Sequence, residues 1–349
     1  MKRLLLYFLF CSAAAHASIK FKTVWGRSYK VKDPLLVELI QSPVMQRLKC
    51  IDQSGPVRYA GLTPPFSRYD HSVGVLALLM KANVSRQEQA AGLLHDASHT
   101  AFSHLGDKIF GGDQQAKAYQ DEIHLEFLEK MGIGKIVEKY GMKLEQLDPD
   151  LPGYTALERP LPDLCADRLQ YIIHSGVITG ALTQKQARKM IDDVEYRDRA
   201  WYFKSTEYAR LYADLTLRFT QEWYGAPWNC AFYEHFAQAL RRALHVGLID
   251  QDSLKYGVDQ DILDVLHASD DESIKHSLRA CDNIYSAFDE TEYGQGDCNS
   301  RPKFRGVDPL VDCRGEKKRL SQIDQDFVTR YQRVQDFCQQ GYGLELRAP

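Results

Sequence analysis

The 349-residue sequence lacks any internal apolar run long enough to span a bilayer. It has no tandem repeat and no low-complexity tract, which sets aside solenoids and disordered scaffolds. It carries no Walker phosphate loop and no G-x-S-x-G elbow, so the signatures of P-loop NTPases and α/β-hydrolases are missing. None of its 8 cysteines forms a C-x-x-C, which weakens any zinc-ribbon reading. A formal charge of only -3 gives no sign of a nucleic-acid-binding surface. What is present is ordinary: 44% hydrophobic and 26% charged residues, enough chain for one large or two modest globular domains.

The N-terminus differs from the rest. Lys2 and Arg3 precede an apolar run from Leu4 to Ala15, and Ala15-His16-Ala17 supplies the small residues that a signal peptidase reads. This predicts a signal peptide over residues 1–17 and a secreted or periplasmic protein. Its removal takes Cys11 and leaves Cys50, Cys165, Cys230, Cys281, Cys298, Cys313 and Cys338, so at least one thiol stays free. Cys298 and Cys313 flank a Gly/Pro/Arg-containing loop and are the expected disulfide pair.

The periodicity is almost wholly helical. A short hairpin over residues 20–32 turns at Gly26-Arg27. Helices then open at Pro34 and Pro43 and cover about 70–83, with an apolar stripe of Val73, Leu76, Ala77 and Met80. Ser85 with Glu88, and Thr183 with Gln186, read as capping boxes. Further helices are expected over 120–131, from Pro162-Asp163 to Gly176, and over about 205–223, 229–246, 260–268, 271–281 and 320–340. Residues 286–317, rich in Gly, Asp and Arg, read as a long loop or irregular lobe. The expectation is an all-α catalytic domain over 18–282 with a smaller mixed C-terminal lobe, 283–349, packed on it.

Four of the eleven histidines fall within residues 68–104: His71, His95, His99 and His104, with Asp70 and Asp96 among them. His71 lies near the start of one predicted helix and His95-Asp96 at the end of the next. Two antiparallel helices would bring those ends together. Adjacent residues on a regular helix point about 100° apart, so a His-Asp pair converges on one target best at a loosened helix end. A divalent ion that activates water needs such nitrogen and oxygen ligands and an open position. His174, His235, His245, His267 and His276 are scattered and read as structural or exposed. Tyr208, Tyr212, Phe219 and Trp223 read as core rather than as a stack for a base; Lys303 and Arg305 could reach phosphate from the C-terminal lobe, but read first as part of a solvated loop.

The pattern resembles the HD-domain phosphohydrolase superfamily, in its branch of dNTP triphosphohydrolase-like proteins. The residues that carry the resemblance are Asp33-Pro34-Leu35-Leu36, Gln46-Arg47-Leu48, Arg68-x-x-His71-Ser72-x-Gly74, Gly92-Leu93-Leu94-His95-Asp96-x-x-His99-x-x-Phe102-Ser103-His104 and Ala166-Asp167-Arg168-Leu169-x-Tyr171. They cover about residues 22–180; beyond that only Lys303-Phe304-Arg305-Gly306-Val307-Asp308-Pro309 looks familiar. The resemblance implies an HD helical bundle, with His71, His95, Asp96 and Asp167 as ligands of a divalent ion (Mn, Fe, Ni, Mg or Zn). It implies a metal-activated water that attacks a phosphoester or phosphoanhydride of a nucleotide-like substrate. His99 and His104 would face the phosphoryl oxygens, pass a proton or orient ligands; Arg68 would fork onto phosphate or pair with a nearby carboxylate. One departure stands out. Relatives commonly carry a His-Glu pair where this chain has Gln120-Asp121, so Asp121 or His124 is expected to replace the usual acid. The alternative is a non-catalytic module that binds metal and nucleotide. Self-association is compatible with either.

Overall fold

The computed structural model describes residues 18–110 and 118–347. The predicted signal segment, residues 1–17, lies outside them. Strands Ile19–Lys22 and Ser28–Val31 form the expected antiparallel hairpin. Gly26 takes φ +76° in its turn, a left-handed conformation open to glycine without steric cost. Asp33 then caps the helix Pro34–Gln41, its carboxylate accepting from the amides of Leu35 and Leu36.

The central pair is Arg68–Ala82 and Arg86–Leu94. Asn83, at φ +53°, reverses the chain between them. Ser85 Oγ accepts from the Glu88 amide, as expected. The reciprocal half of that capping box does not form, because the Glu88 carboxylate turns to the amides of Ala156 and Leu157. It thereby pins the loop that leads to the third helix. Gly92 sets the spacing of the pair: a Cβ there would stand 2.2 Å from Leu79 Cδ1.

The third helix, Ala166–Ile178, packs across Arg68–Ala82. It starts later than Pro162-Asp163 suggests, because the Asp163 carboxylate is taken by Arg159 and Arg319 instead of capping the helix. Asp167 therefore falls in the first turn rather than one turn in. Arg47 ties the bundle together. Its guanidinium reaches the carbonyls of Ala97, His99, Lys255, Tyr256 and Gly257. The outer helices Thr206–Phe219, Pro227–His245, Asp259–Ala268, Glu272–Asp282 and Gln325–Gln340 lie where the amphipathic stripes predict.

The segment 286–317 is more ordered than its composition suggests. Phe288–Thr291 and Cys298–Ser300 flank Tyr342–Leu346 in a three-stranded antiparallel sheet. Leu310–Cys313 and Glu316–Arg319 join Val194–Arg197 and Ala200–Phe203 in a four-stranded sheet, where Tyr202 pairs in parallel with Leu310. Strands of three to five residues are too short to show an alternation. Through them the C-terminal lobe is hydrogen-bonded into the helical domain. These sheets also separate the expected disulfide partners. Cys298 pairs with Leu344 in one sheet and Cys313 with Glu316 in the other, and both are free thiols. The neighbour of Cys298 is Cys230.

Candidate metal centre

His71 projects from the first turn of Arg68–Ala82 and is fully buried. His95 is the C-terminal cap of Arg86–Leu94, and Asp96 follows it. The antiparallel pairing brings these ends together, and Asp167 enters from the first turn of Ala166–Ile178. His71 Nε2 lies 3.1 Å from His95 Nε2, 2.9 Å from Asp167 Oδ1 and 3.5 Å from Asp96 Oδ2. His95 Nε2 lies 3.6 Å from both Asp96 Oδ1 and Asp167 Oδ1. Ligand atoms about 2.1 Å from one cation stand about 3.0 Å apart at right angles and about 3.4 Å apart in a tetrahedron. On that criterion His71, His95 and Asp96 fit a single divalent ion, and Asp167 stands against both imidazoles beside them.

The surrounding hydrogen bonds orient both imidazoles. His95 Nδ1 donates to the Gly92 carbonyl at 2.8 Å, which turns Nε2 inward as the atom that a metal ion would take once its proton leaves. His71 Nδ1 meets Gln170 Oε1 at 2.5 Å, with the same result. Gln170 is in turn fixed by its Nε2, which donates to His174 Nδ1 at 3.2 Å. His174 stacks on Phe66 with ring centroids 3.6 Å apart. Gly74 has its reason here, since a Cβ would stand 2.4 Å from Gln170 Nε2.

The electrostatics also call for a cation. Burial alone would raise the Asp96 carboxyl, but Arg68, His95 and His99 hold it well below the usual carboxylate range. Asp167 is likewise depressed against burial, by hydrogen bonds from His71 and His95. Burial would lower the His95 imidazole, yet Asp96 and Asp167 together raise it to about 9. The centre therefore holds a proton where a metal ion would compete for the same lone pair.

Arg68 was expected to fork onto phosphate or pair locally. It pairs with Asp96, at 2.5 Å through Nη1, while Nε donates to Ser103 Oγ at 2.7 Å. His99 Nε2 lies 3.3 Å from Asp96 Oδ1; burial and then Arg68 push its pKa down to about 3, so the ring is neutral. His104 stacks edge-on to His99, 4.9 Å between centroids, with Nδ1 3.5 Å from Asp107.

These groups open onto a cavity of about 320 Å³. His95, Asp96, His99, His104, Asp121 and Asp167 line it, and Arg68 and Gln120 do too. His124 is not among the lining residues. It is buried behind the wall, with Nδ1 3.0 Å from Ser98 Oγ, so of the two expected replacement acids only Asp121 reaches the cavity. Asp121 stands at the mouth, its carboxyl raised by partial burial and then by Asp150. Tyr212 and Phe219 are core, as expected, and Tyr208 packs against the core. Trp223 also packs against the core and at the same time lines the cavity beside Tyr224 and Trp228. Lys303 and Arg305 also line it rather than forming a solvated loop. Of the scattered histidines, His174 and His235 are buried, His276 is half-buried, and His245 and His267 are exposed.

Two residues have no signal in the sequence pattern. Glu158 lines the cavity, with its carboxyl raised to about 8 by burial and then by Asp167. Asp259, fully buried, accepts from the Phe102 amide at 2.7 Å, the Asp52 amide at 2.9 Å and Tyr59 Oη at 2.8 Å. It holds Phe102 and Ser103, both at φ 59°, in the left-handed turn that presents His104. Consecutive left-handed non-glycine residues are costly and persist where surrounding contacts over-determine them.

No protein-family model matches the sequence. The chain is 34% identical over 281 residues to the uncharacterized protein YdhJ of Bacillus subtilis, across 80% of this chain and 84% of that one. It is 35% identical over 164 residues to the metal-dependent phosphohydrolase cns2 of Cordyceps militaris, across 47% of each chain. Over 134 residues it is 30% identical to the deoxynucleoside triphosphate triphosphohydrolase SAMHD1 of Gallus gallus, 32% of this chain and 22% of that one. The crystal structure of a phosphohydrolase from Bacteroides thetaiotaomicron superposes with a TM-score of 0.71, covering 95% of this chain and 100% of that chain. At 15% identity this is a likeness of fold.

Proposed function

The chain belongs to the HD-domain phosphohydrolase family, and from that premise we propose that it cleaves a phosphoester or phosphoanhydride of a nucleotide-like substrate. The observation that carries this reading is the convergence of His71, His95, Asp96 and Asp167 at the wall of a cavity. A divalent ion held there would polarise a phosphoryl oxygen and lower the pKa of water.

The chain's own residues divide the remaining work. Gln170 and the Gly92 carbonyl keep the two imidazoles in the ligating tautomer. Arg68 holds the Asp96 carboxylate in place. His99, neutral and beside Asp96, would donate a hydrogen bond to a phosphoryl oxygen without adding charge. Asp121 gives the leaving group its proton, favoured by its raised carboxyl at the mouth. The aromatic rings of Trp223, Tyr224 and Trp228 provide an apolar wall suited to a planar base. Processing before Ser18 would place this activity outside the cytoplasm, which favours phosphoesters met there over the dNTP pool.

The test is phosphate release from a panel of nucleotides and phosphoesters, with Mn, Fe, Ni, Mg and Zn supplied in turn. His95→Ala and Asp96→Ala are expected to lose bound metal and phosphate release together. Full metal content with no release from any member of the panel would sink hydrolysis and leave the non-catalytic module. N-terminal sequencing of the secreted protein tests export, and an intact Met1 start refutes it.

A further inference from the structure

With Nε and Nη1 of Arg68 engaged by Ser103 and Asp96, only its Nη2 is left without a partner, so Arg68 cannot offer a two-pronged fork to an anionic substrate. Arg168 is also engaged, by the Asp163 carbonyl at 3.0 Å and Glu158 at 3.8 Å. Arg305 is different. Its guanidinium lies over the Tyr224 ring, 5.4 Å from the centroid, on the side of the cavity where Tyr171 stands one turn along the helix from Asp167. Among the described residues no carboxylate lies within 4.0 Å of it. A guanidinium in the cavity wall with no carboxylate in contact keeps its fork of N–H donors available to an anion.

The segment around it is held firmly although it is neither helix nor strand. On one side the Phe304 ring packs edge-on to Tyr331, centroids 4.9 Å apart. Gly306 allows this, because a Cβ would stand 2.2 Å from that ring. On the other side the Val307 amide donates to Thr216 Oγ1 at 3.2 Å and the Asp308 amide to the Pro162 carbonyl at 3.1 Å. The Asp308 carboxylate takes Ser321 through both its amide, at 3.0 Å, and its hydroxyl, at 2.6 Å. Every neighbour of Arg305 is thus anchored outside the cavity, and only the arginine and the rim residue Lys303 face into it. A preorganised fork of this kind recognises the paired oxygens of phosphate.

We propose that Arg305, delivered by the C-terminal lobe, is an anion-recognition residue of the cavity and binds the substrate's phosphoryl oxygens beside the metal ligands. This rests on the phosphohydrolase reading for the identity of the anion. It assigns the C-terminal lobe a part in substrate binding.

The experiment measures binding of inorganic phosphate to the metal-loaded full chain by calorimetry, alongside metal content. Arg305→Gln is expected to weaken phosphate binding roughly ten- to hundredfold, with metal content equal to wild type. Arg305→Lys keeps the charge but loses the fork, and should weaken it roughly three- to tenfold; it decides the matter if the glutamine variant fails to fold. Phosphate affinity within twofold of wild type in a folded variant overturns the proposal, as does a wild type that binds no phosphate. If the wild type hydrolyses nothing yet binds phosphate through Arg305, the anion site stands and the hydrolytic reading falls. If it hydrolyses its substrate and Arg305→Gln leaves phosphate affinity unchanged, the reverse holds.

Discussion

Gln170→Leu tests whether the second layer of the centre sets its affinity. Gln170 Oε1 is the hydrogen-bond partner of His71 Nδ1, at 2.5 Å, and His71 has no exposure to solvent. Leucine fills a similar volume and removes that acceptor. Without it, the His71 proton is free to move to Nε2, where Asp167 Oδ1 waits at 2.9 Å. That tautomer cannot ligate, so metal binding must first drive the proton back. Loss of such an outer partner typically costs 10–100-fold in metal affinity, or about 1.4–2.8 kcal/mol at about 1.4 kcal/mol per tenfold. Competition with a chromophoric chelator measures the affinity directly. The four ligands are untouched, so activity at saturating metal should stay within roughly threefold of wild type, because the loss lies in binding. An affinity within twofold of wild type, or an activity loss that excess metal does not rescue, would refute the tautomer argument.

Metal affinity should also climb with pH, because His95, raised to about 9, must give up its proton to bind; the expected slope approaches one log unit per pH unit below 9, and a flat profile from pH 6.5 to 9 counts against it. Gly92→Ala forces a methyl against Leu79 at 2.2 Å and Leu157 at 3.1 Å, and should cost about 1–3 kcal/mol of stability, read by urea denaturation. Arg47→Met removes the donor shared by five carbonyls and should cost at least about 3 kcal/mol; a loss below about 1 kcal/mol in the same assay contradicts its role as the tie between Gln251–Tyr256 and the loop after His95.

The parts of the centre that were legible in the sequence are those carried by local pattern. His71, His95 and Asp96 sit at the ends of two helices joined by a short turn, and such ends meet wherever the helices pair. Asp167 needed the family resemblance, because nothing in its own periodicity points toward His71. Arg68 was ambiguous for a physical reason: a guanidinium suits carboxylate and phosphate equally, and only the fold shows Asp96 within 2.5 Å. His124 shares a helix face with Gln120, as spacing predicts, but the burial of Ser98 draws it behind the wall. Arg305 stood in a familiar motif, open to a phosphate contact or to a solvated loop; Glu158 and Asp259 were illegible. They lie in segments without periodicity or on remote helices, and reach the site through tertiary contacts alone. Gly74 and Gly92 could be placed in motifs, but their reasons appear only with Gln170 and Leu79 in position.

The ligands come from three helices, and the turn beside them is braced by Asp259, far along the chain. A chain still emerging from the ribosome therefore has no coordination site to offer. Metal capture must follow completion of the fold, and the ion that fills the centre is the one available where folding finishes. For a chain exported unfolded, the compartment rather than the donor set would select the metal. Refolding the protein in defined ion mixtures tests this: the bound ion should follow the mixture offered, and a constant ion across mixtures would assign the choice to the ligands.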